Sequence, residues 1–418
     1  MAPAYSADHV MVRSGPARQL KKMPGATGRR PVLSHVASAV IVSLLASLLS
    51  LLDTPTAFAD AEEHEEVLAD RVSVSAPRGM TPSVVASIQN AAAGIGAQSS
   101  VVHSGTLELL SVRRGAQTNQ AAPAGMSYPM SSLAVDPFTV RNVSPSAVAS
   151  AIERGELVMS ESSASVRGAL AGDEVTIVGW NGGVYNLPIG LIAPDGEVGA
   201  ELLWSTTVAK AVGFDRPSTV RVWGFASRDG VDASLLAGVP RGTFLRLRHS
   251  WDPIFPDDQI GQGRLKVLLG EFALARGRSG LVLESSWRAA NIVRARLPII
   301  GFVTCHRVVV AAATDALNEI AAAGLGGLIN VSDTQRYGGC FNARELRTDT
   351  GTSGRNLSRH TWGGAIDINP STNTFGGTPR IDQRIVQIFR DHGFIWGGSF
   401  SIPDGMHFEY IGERVVPT

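Results

Sequence analysis

Apolar and polar side chains alternate over residues 71–75 and again over 107–112, a period of two that predicts strands. Between them, residues 81–93 carry apolar side chains at helical spacing with a proline at the start, so a small strand-helix-strand unit is expected. The pattern then dissolves over 117–137 into Ala, Gln, Ser, Pro and Met, which reads as a linker. A second α+β unit is expected from about 139 to 250. It has a helix over 144–155 between a serine and a glycine, a short helix over 206–213, and strands over 174–180, 185–192, 220–225 and 243–249. A third region begins near Pro298, with a helix over 308–323 and a strand over 327–331.

Composition adds bounds to this picture. A chain of 418 residues with 44% hydrophobic side chains can fill two or three cores. Lysine plus arginine and aspartate plus glutamate balance at 37 each, and no basic stripe alternates with aromatics, which excludes a nucleic-acid groove. Ahead of the first strand, Arg13, Arg18, Lys21, Lys22, Arg29 and Arg30 precede an uncharged run over 32–52, followed by Ala57-Phe58-Ala59. Residues 1–59 therefore read as an export signal cut after Ala59; the alternative is an uncleaved membrane anchor through residues 32–52, which approach the ~18 residues a spanning helix needs. Residues 60–70 are acidic, without apolar periodicity, and read as a solvated leader.

The candidate chemistry lies at the other end. In 365–369 (Ala-Ile-Asp-Ile-Asn) the isoleucines would face a core while Asp367 and Asn369 share the opposite face, and in 406–410 (Met-His-Phe-Glu-Tyr) His407 and Glu409 project away from Met406, Phe408 and Tyr410. If the two strands pair, Asp367 and His407 meet, and His360 reaches them from a loop hinged at Gly363-Gly364. A catalytic zinc takes about three protein ligands and one open position. His360, Asp367 and His407 can supply the three, leaving Asp404 as base. Cys305 and Cys340, the two cysteines of the chain, flank this region and pair most simply as a disulfide worth roughly 3 to 4 kcal/mol on the chain-entropy view. Neither Gly324-Leu-Gly326-Gly327 nor Gly277-Arg-Ser279-Gly280 has the context of a phosphate loop or a nucleophile elbow, and the first reads as a helix stop.

Ser358, His360, Gly363, Ala365 and Asp367 fit S-x-H-x-x-G-x-A-x-D, and Asp404, His407, Phe408 and Glu409 fit D-x-x-H-F-E. In these motifs and their order the region from about 298 to 418 resembles the D-alanyl-D-alanine carboxypeptidase family of zinc peptidases, which includes L-alanyl-D-glutamate endopeptidases. The resemblance implies an exported hydrolase of peptidoglycan stem peptides with Zn²⁺ held by His360, Asp367 and His407. It places the base on Asp404, where some members carry glutamate, and an arginine upstream of the first ligand at the oxyanion: Arg344, with Arg347 and Arg355 as neighbours that compete for the role. Ser358 and Trp396 are candidates to contact substrate, Trp362 and Trp396 to wall a groove, and Glu409 to orient a ligating histidine. His306 and His392 are expected to be structural. The expected fold is α+β, with a C-terminal zinc peptidase domain (298–418) built on a small antiparallel sheet with flanking helices, preceded by two smaller α+β units (60–137 and 138–297). A binding or scaffold protein that keeps the fold without activity is the competing class.

Overall fold

A computed structural model describes residues 68–253, 258–278, 280–334, 340–346, 354–400 and 402–413. The export or anchor segment, most of the acidic leader and Arg347 lie outside these residues. Among the described residues no helix is long and apolar enough to cross a membrane.

The upstream part is organised by one ten-stranded sheet. Its strands are β1 (Arg71–Ser75), β2 (Gln98–Arg114), β3 (Gln117–Ala121), β4 (Tyr128–Val135), β5 (Leu157–Ser160), β6 (Glu174–Val178), β7 (Val184–Ala193), β8 (Leu202–Ser205), β9 (Pro217–Trp223) and β10 (Arg246–His249). The long strand β2 bends through the centre. Its first half pairs with β9 and its second with β6, while β4 and then β3 lie along its other edge. Because β6 returns to β2, the strands β2-β4-β8-β5-β7-β6 close into a six-stranded barrel. Leu107, Leu109, Met130, Ile177 and Trp204 fill it. On the β1-β9 flank, Val72, Val74, Val220 and Val222 pack against the helix Pro82–Gly94, whose Val84, Ile88 and Ala92 recur at i, i+4 and i+8. Thr81 caps that helix through its hydroxyl, which accepts from Val84 N at 3.3 Å.

The linker expected over 117–137 is instead β3 and β4. β3 lies off the main strand path and is largely exposed, so its residues are polar. In β4 one face enters the barrel through Met130 and Ala134, while the other presents Ser131 and Leu133, and short polar side chains there hide the alternation. The sheet consequently draws strands from both sides of residue 137.

Downstream, a single core runs from Leu265 to Phe408. It takes in the helix Gln262–Leu269 and Phe272, ahead of the start expected near Pro298, and Pro298 sits in the turn of a hairpin between β13 (Ile292–Leu297) and β14 (Gly301–His306). A smaller hairpin, β11 (Leu274–Gly277) with β12 (Gly280–Leu283), precedes it. The helix Arg307–Ala322 stops at Gly324, which takes a left-handed conformation (φ +70°). The strand expected over 327–331 is a correction: Gly326–Leu328 is a 3-10 turn and Val331–Thr334 a helical turn. Leu325 and Ile329 anchor this segment, while Leu328 and Val331 are exposed, so an apolar run there does not make a strand. The last sheet is small and antiparallel, in the order β15 (Ala365–Asp367), β17 (His407–Tyr410), β16 (Phe394–Trp396). The helix Gln383–Asp391 covers it with Ile385, Val386, Ile388 and Phe389.

Candidate metal centre

Register alone brings two of the three candidate ligands together. β15 and β17 pair antiparallel with Ile366 opposite Phe408 and Asp367 opposite His407. Ile366 and Phe408 are buried in the core, so the period of two sends Asp367 and His407 to the other face. Asp367 Oδ1 lies 3.2 Å from His407 Nδ1 and 3.3 Å from His360 Nε2. One ligand atom from each of the three residues falls within 4.8 Å of the others.

His360 arrives on the 3-10 turn Arg359–Trp362, which ends at Gly363 in a left-handed conformation (φ +63°). A Cβ on Gly363 would sit 2.6 Å from His306 N, so both the backbone angle and the space demand glycine. Gly363→Ala is expected to destabilise the protein by roughly 2 kcal/mol or more and to lower metal affinity, checked by denaturant melts and zinc titration. The His360 ring is oriented by its own Nδ1, which donates to Cys340 O at 2.9 Å and leaves Nε2 for a ligand. Cys340 is itself held to Cys305 on β14 by a disulfide, with the two Cα atoms 5.0 Å apart.

On the far side of His407, Glu409 Oε2 stands 3.6 Å from Nε2. The Glu409 carboxylate is fully buried and also meets Arg359 Nε at 2.8 Å and Gln259 Nε2 at 2.9 Å. Burial would raise its pKa, but Arg359 and then His407 and Gln259 outweigh that and hold it below the ordinary value. For His407, burial favours the neutral ring, yet hydrogen bonds to Asp367 and Glu409 push its pKa up to about 10. Asp367 is held well below the usual carboxylate range, burial being overridden by the two histidines.

These residues fit a bound cation. The carboxylates around His407 favour its positive charge, the donor set is two imidazoles and one carboxylate, and the buried His360 Nε2 faces Asp367 Oδ1 at 3.3 Å without a well-aligned hydrogen bond.

Asp404 enters from the turn before β17. Its N–H donates to Gly397 O at 2.8 Å and its carbonyl accepts from His407 N at 3.0 Å. Trp396 Nε1 donates to Gly405 O at 2.8 Å, so this buried indole braces the turn from behind and is not among the residues around the cavity. The Asp404 Oδ1 is buried without a hydrogen bond. Burial, with a further push from Asp367, raises its pKa against the pull of His407, His360 and Arg344.

All four residues open onto one cavity of about 440 Å³ that Arg344, Ser358, Arg359 and Gln259 also line. Arg344 is fixed at its backbone, N–H to Thr361 Oγ1 at 3.1 Å and carbonyl to Ser358 N at 3.1 Å. Arg355 points elsewhere, into an ion pair with Glu108 at 3.0 Å. The Ser358 hydroxyl makes no capping bond to the turn it precedes. Away from the cavity, His306 caps the helix Arg307–Ala322 and bonds Leu269 O, His392 meets Glu319 at 2.8 Å, and the Trp362 indole N–H donates to Gly270 O in the core. Asn369, expected to share a face with Asp367, lies past the end of β15 in a left-handed conformation (φ +51°) and is tied to Leu328 O and Asn330 N. Gln259 and Arg359 were not legible as site residues: Gln259 lies outside any motif, and Arg359 occupies an unspecified position within one.

Fold and site together define a cluster of two histidines and one aspartate that could hold a metal ion, open to a cavity on one side and accompanied by a separate carboxylate. Residues 351–410 match the family model described as D-alanyl-D-alanine carboxypeptidase, a span that contains Ser358, His360, Asp367, Asp404, His407 and Glu409. The C-terminal region is thus similar to the family its two motifs resemble. No curated protein matches the chain. Among solved structures it is similar to the extracellular domain of a noncanonic ABC-type transporter, YknZ, from Gram-positive bacteria, at 14% identity, covering 39% of this chain and 88% of that one, with a TM-score of 0.24.

Proposed function

We propose that the protein is an exported, zinc-dependent peptidase of bacterial peptidoglycan stem peptides, with the terminal D-Ala-D-Ala bond as its leading target. The observation that carries this reading is the convergence of His360, Asp367 and His407 in the cavity that also holds the unbonded carboxylate of Asp404. His360, Asp367 and His407 would hold the ion, and the chemistry it supplies is Lewis acidity toward a carbonyl and acidification of a water. Asp404 takes a proton from the attacking water and returns it to the leaving amine, so that the bond breaks to a carboxylate and an amine without a covalent intermediate. A raised pKa makes Asp404 a stronger base than an exposed aspartate. Arg344 is the cation for the developing oxyanion, Ser358 offers a hydroxyl to the substrate, and Glu409 fixes the His407 ring. The disulfide suits an oxidising compartment outside the cytoplasm, in keeping with residues 1–59 as an export signal and a location at the cell wall.

The test is incubation of the zinc-loaded protein with defined muropeptides followed by mass spectrometry. Loss of one alanine is the expected product. Cleavage after L-alanine would instead place the protein with the endopeptidases, and intact muropeptides with a fully loaded metal site would sink the peptidase reading.

A further inference from the structure

The wall of the cavity that faces the ligands comes from the upstream sheet. β2 and β4 pair with Ser104 opposite Leu133 and Thr106 opposite Ser131. Since Leu107, Leu109, Met130 and Ala134 point into the barrel, alternation turns Ser104, Thr106, Glu108, Ser131 and Leu133 outward. That outward face is docked against the stretch leading into Ser358 and His360. Thr106 N donates to Gly354 O at 2.6 Å, the Thr106 hydroxyl donates to Asn356 Oδ1 at 3.1 Å, and Glu108 pairs with Arg276 at 2.6 Å and Arg355 at 3.0 Å. Gly105 permits the approach: a Cβ there would lie 3.1 Å from Gly354 O and inside the Trp180 ring contact at 2.5 Å. Beside this seam Ser104, Gly105, Ser131 and Leu133 line the same cavity as His360, Asp367 and His407.

We infer that the outward face of β2-β4 is the substrate-gauging wall of the metal centre, shaped for one extended peptide end with small side chains. The inference rests on the peptidase reading above and gives the upstream barrel a part in it. Short side chains at Ser104, Gly105 and Ser131 leave room for methyl-sized groups, and the Ser104 hydroxyl can bond a peptide N–H or C=O, while that of Ser131 is held by Glu201 at 3.1 Å. A cavity of about 440 Å³ is of the size that takes a small ligand or one end of a peptide.

The test fills the wall without touching the ligands. Full-length protein carrying Ser104→Trp, and the milder Ser104→Leu, is compared with the unaltered chain on a synthetic stem pentapeptide ending in D-Ala-D-Ala, with zinc content measured in each. The expected result for Ser104→Trp is a KM raised about tenfold or more with kcat changed less than about threefold and zinc retained; affinity for the same peptide, measured in an Asp404→Ala background, should fall by a similar factor. Unchanged KM and affinity in both variants would overturn the inference, as would loss of zinc or a parallel fall in kcat in Ser104→Leu, since either marks the seam as merely structural. If the unaltered chain binds the peptide but does not cleave it, the peptidase reading falls while a weakened Ser104→Trp complex still supports the wall; if it does not bind the peptide, both fall.

Discussion

Asp404→Ala is expected to keep about one zinc per chain and to lose hydrolysis by roughly 10²- to 10⁴-fold, whereas His360→Ala should lose both. The difference follows from where each side chain stands. Asp404 is not one of the three clustered ligands, and its Oδ1 has no hydrogen bond to give up. The turn that carries it is held by backbone bonds to Gly397 and His407 and by the Trp396 indole, none of which the substitution removes. His360 contributes one of three donors, and its deletion also leaves Cys340 O without the ring that bonds it. Metal analysis of purified full-length protein, with muropeptide turnover on the same samples, separates the two outcomes. An active Asp404→Ala enzyme would take the proton-transfer role away from that residue, and full zinc occupancy in His360→Ala would break the ligand assignment.

The parts of this site that were legible in the sequence are those fixed by local periodicity. Alternation in 365–369 and 406–410 put Asp367 and His407 on polar faces, and the observed register sets them directly opposite. Gly363 as a hinge was likewise a local signal, because a left-handed residue beside a close backbone approach leaves little choice but glycine. What was not legible is long-range. Gln259 reaches Glu409 across 150 residues of sequence, and nothing in its neighbours marks it. β4 reads as a linker because serines at 131 and 132 interrupt its apolar alternation, and Ser131 faces a cavity while Leu133 and Val135 on the same face pack in a hydrophobic cluster. The downstream core begins ahead of Pro298 for a related reason: the turn at Pro298 carries the local sign of a boundary, while the helix Gln262–Leu269 belongs to the core by contacts that only the folded chain reveals.

Glu201→Ala is expected to cost about 3 to 5 kcal/mol, a large share of the 5 to 15 kcal/mol by which domains are ordinarily stable. Glu201 is the hub of a buried cluster in which two acids face two bases. It meets Arg167 at 3.0 Å and Lys266 at 2.8 Å, and Glu271 contacts both cations in turn. None of the four side chains is more than 5% exposed. Removing Glu201 therefore leaves two buried cations to share Glu271 alone, one positive charge in excess out of water, a much larger penalty than the loss of a surface pair. For Glu271, burial raises the pKa but Arg167 and Lys266 outweigh it, so the folded value lies below the ordinary 4.5. A depressed acid stabilises the fold above its unfolded pKa, and this contribution is lost as pH falls through the folded value; the cluster should weaken only in acid. A charge-balanced double variant, Glu201→Leu with Lys266→Met, should recover most of the loss, because buried ion pairs replaced as pairs are often neutral. Denaturant midpoints of the two proteins measure this directly, and a single variant that costs less than about 1 kcal/mol would show the cluster to be open to water. The consequence reaches the metal. Glu201 also accepts from Gln262, at the start of the helix that follows Gln259 and Ile260, and those two residues hold Glu409 and Arg359 behind His407. Loosening the barrel at Glu201 should thus lower zinc affinity as well as stability, a coupling that a purely local defect in the upstream sheet would not produce.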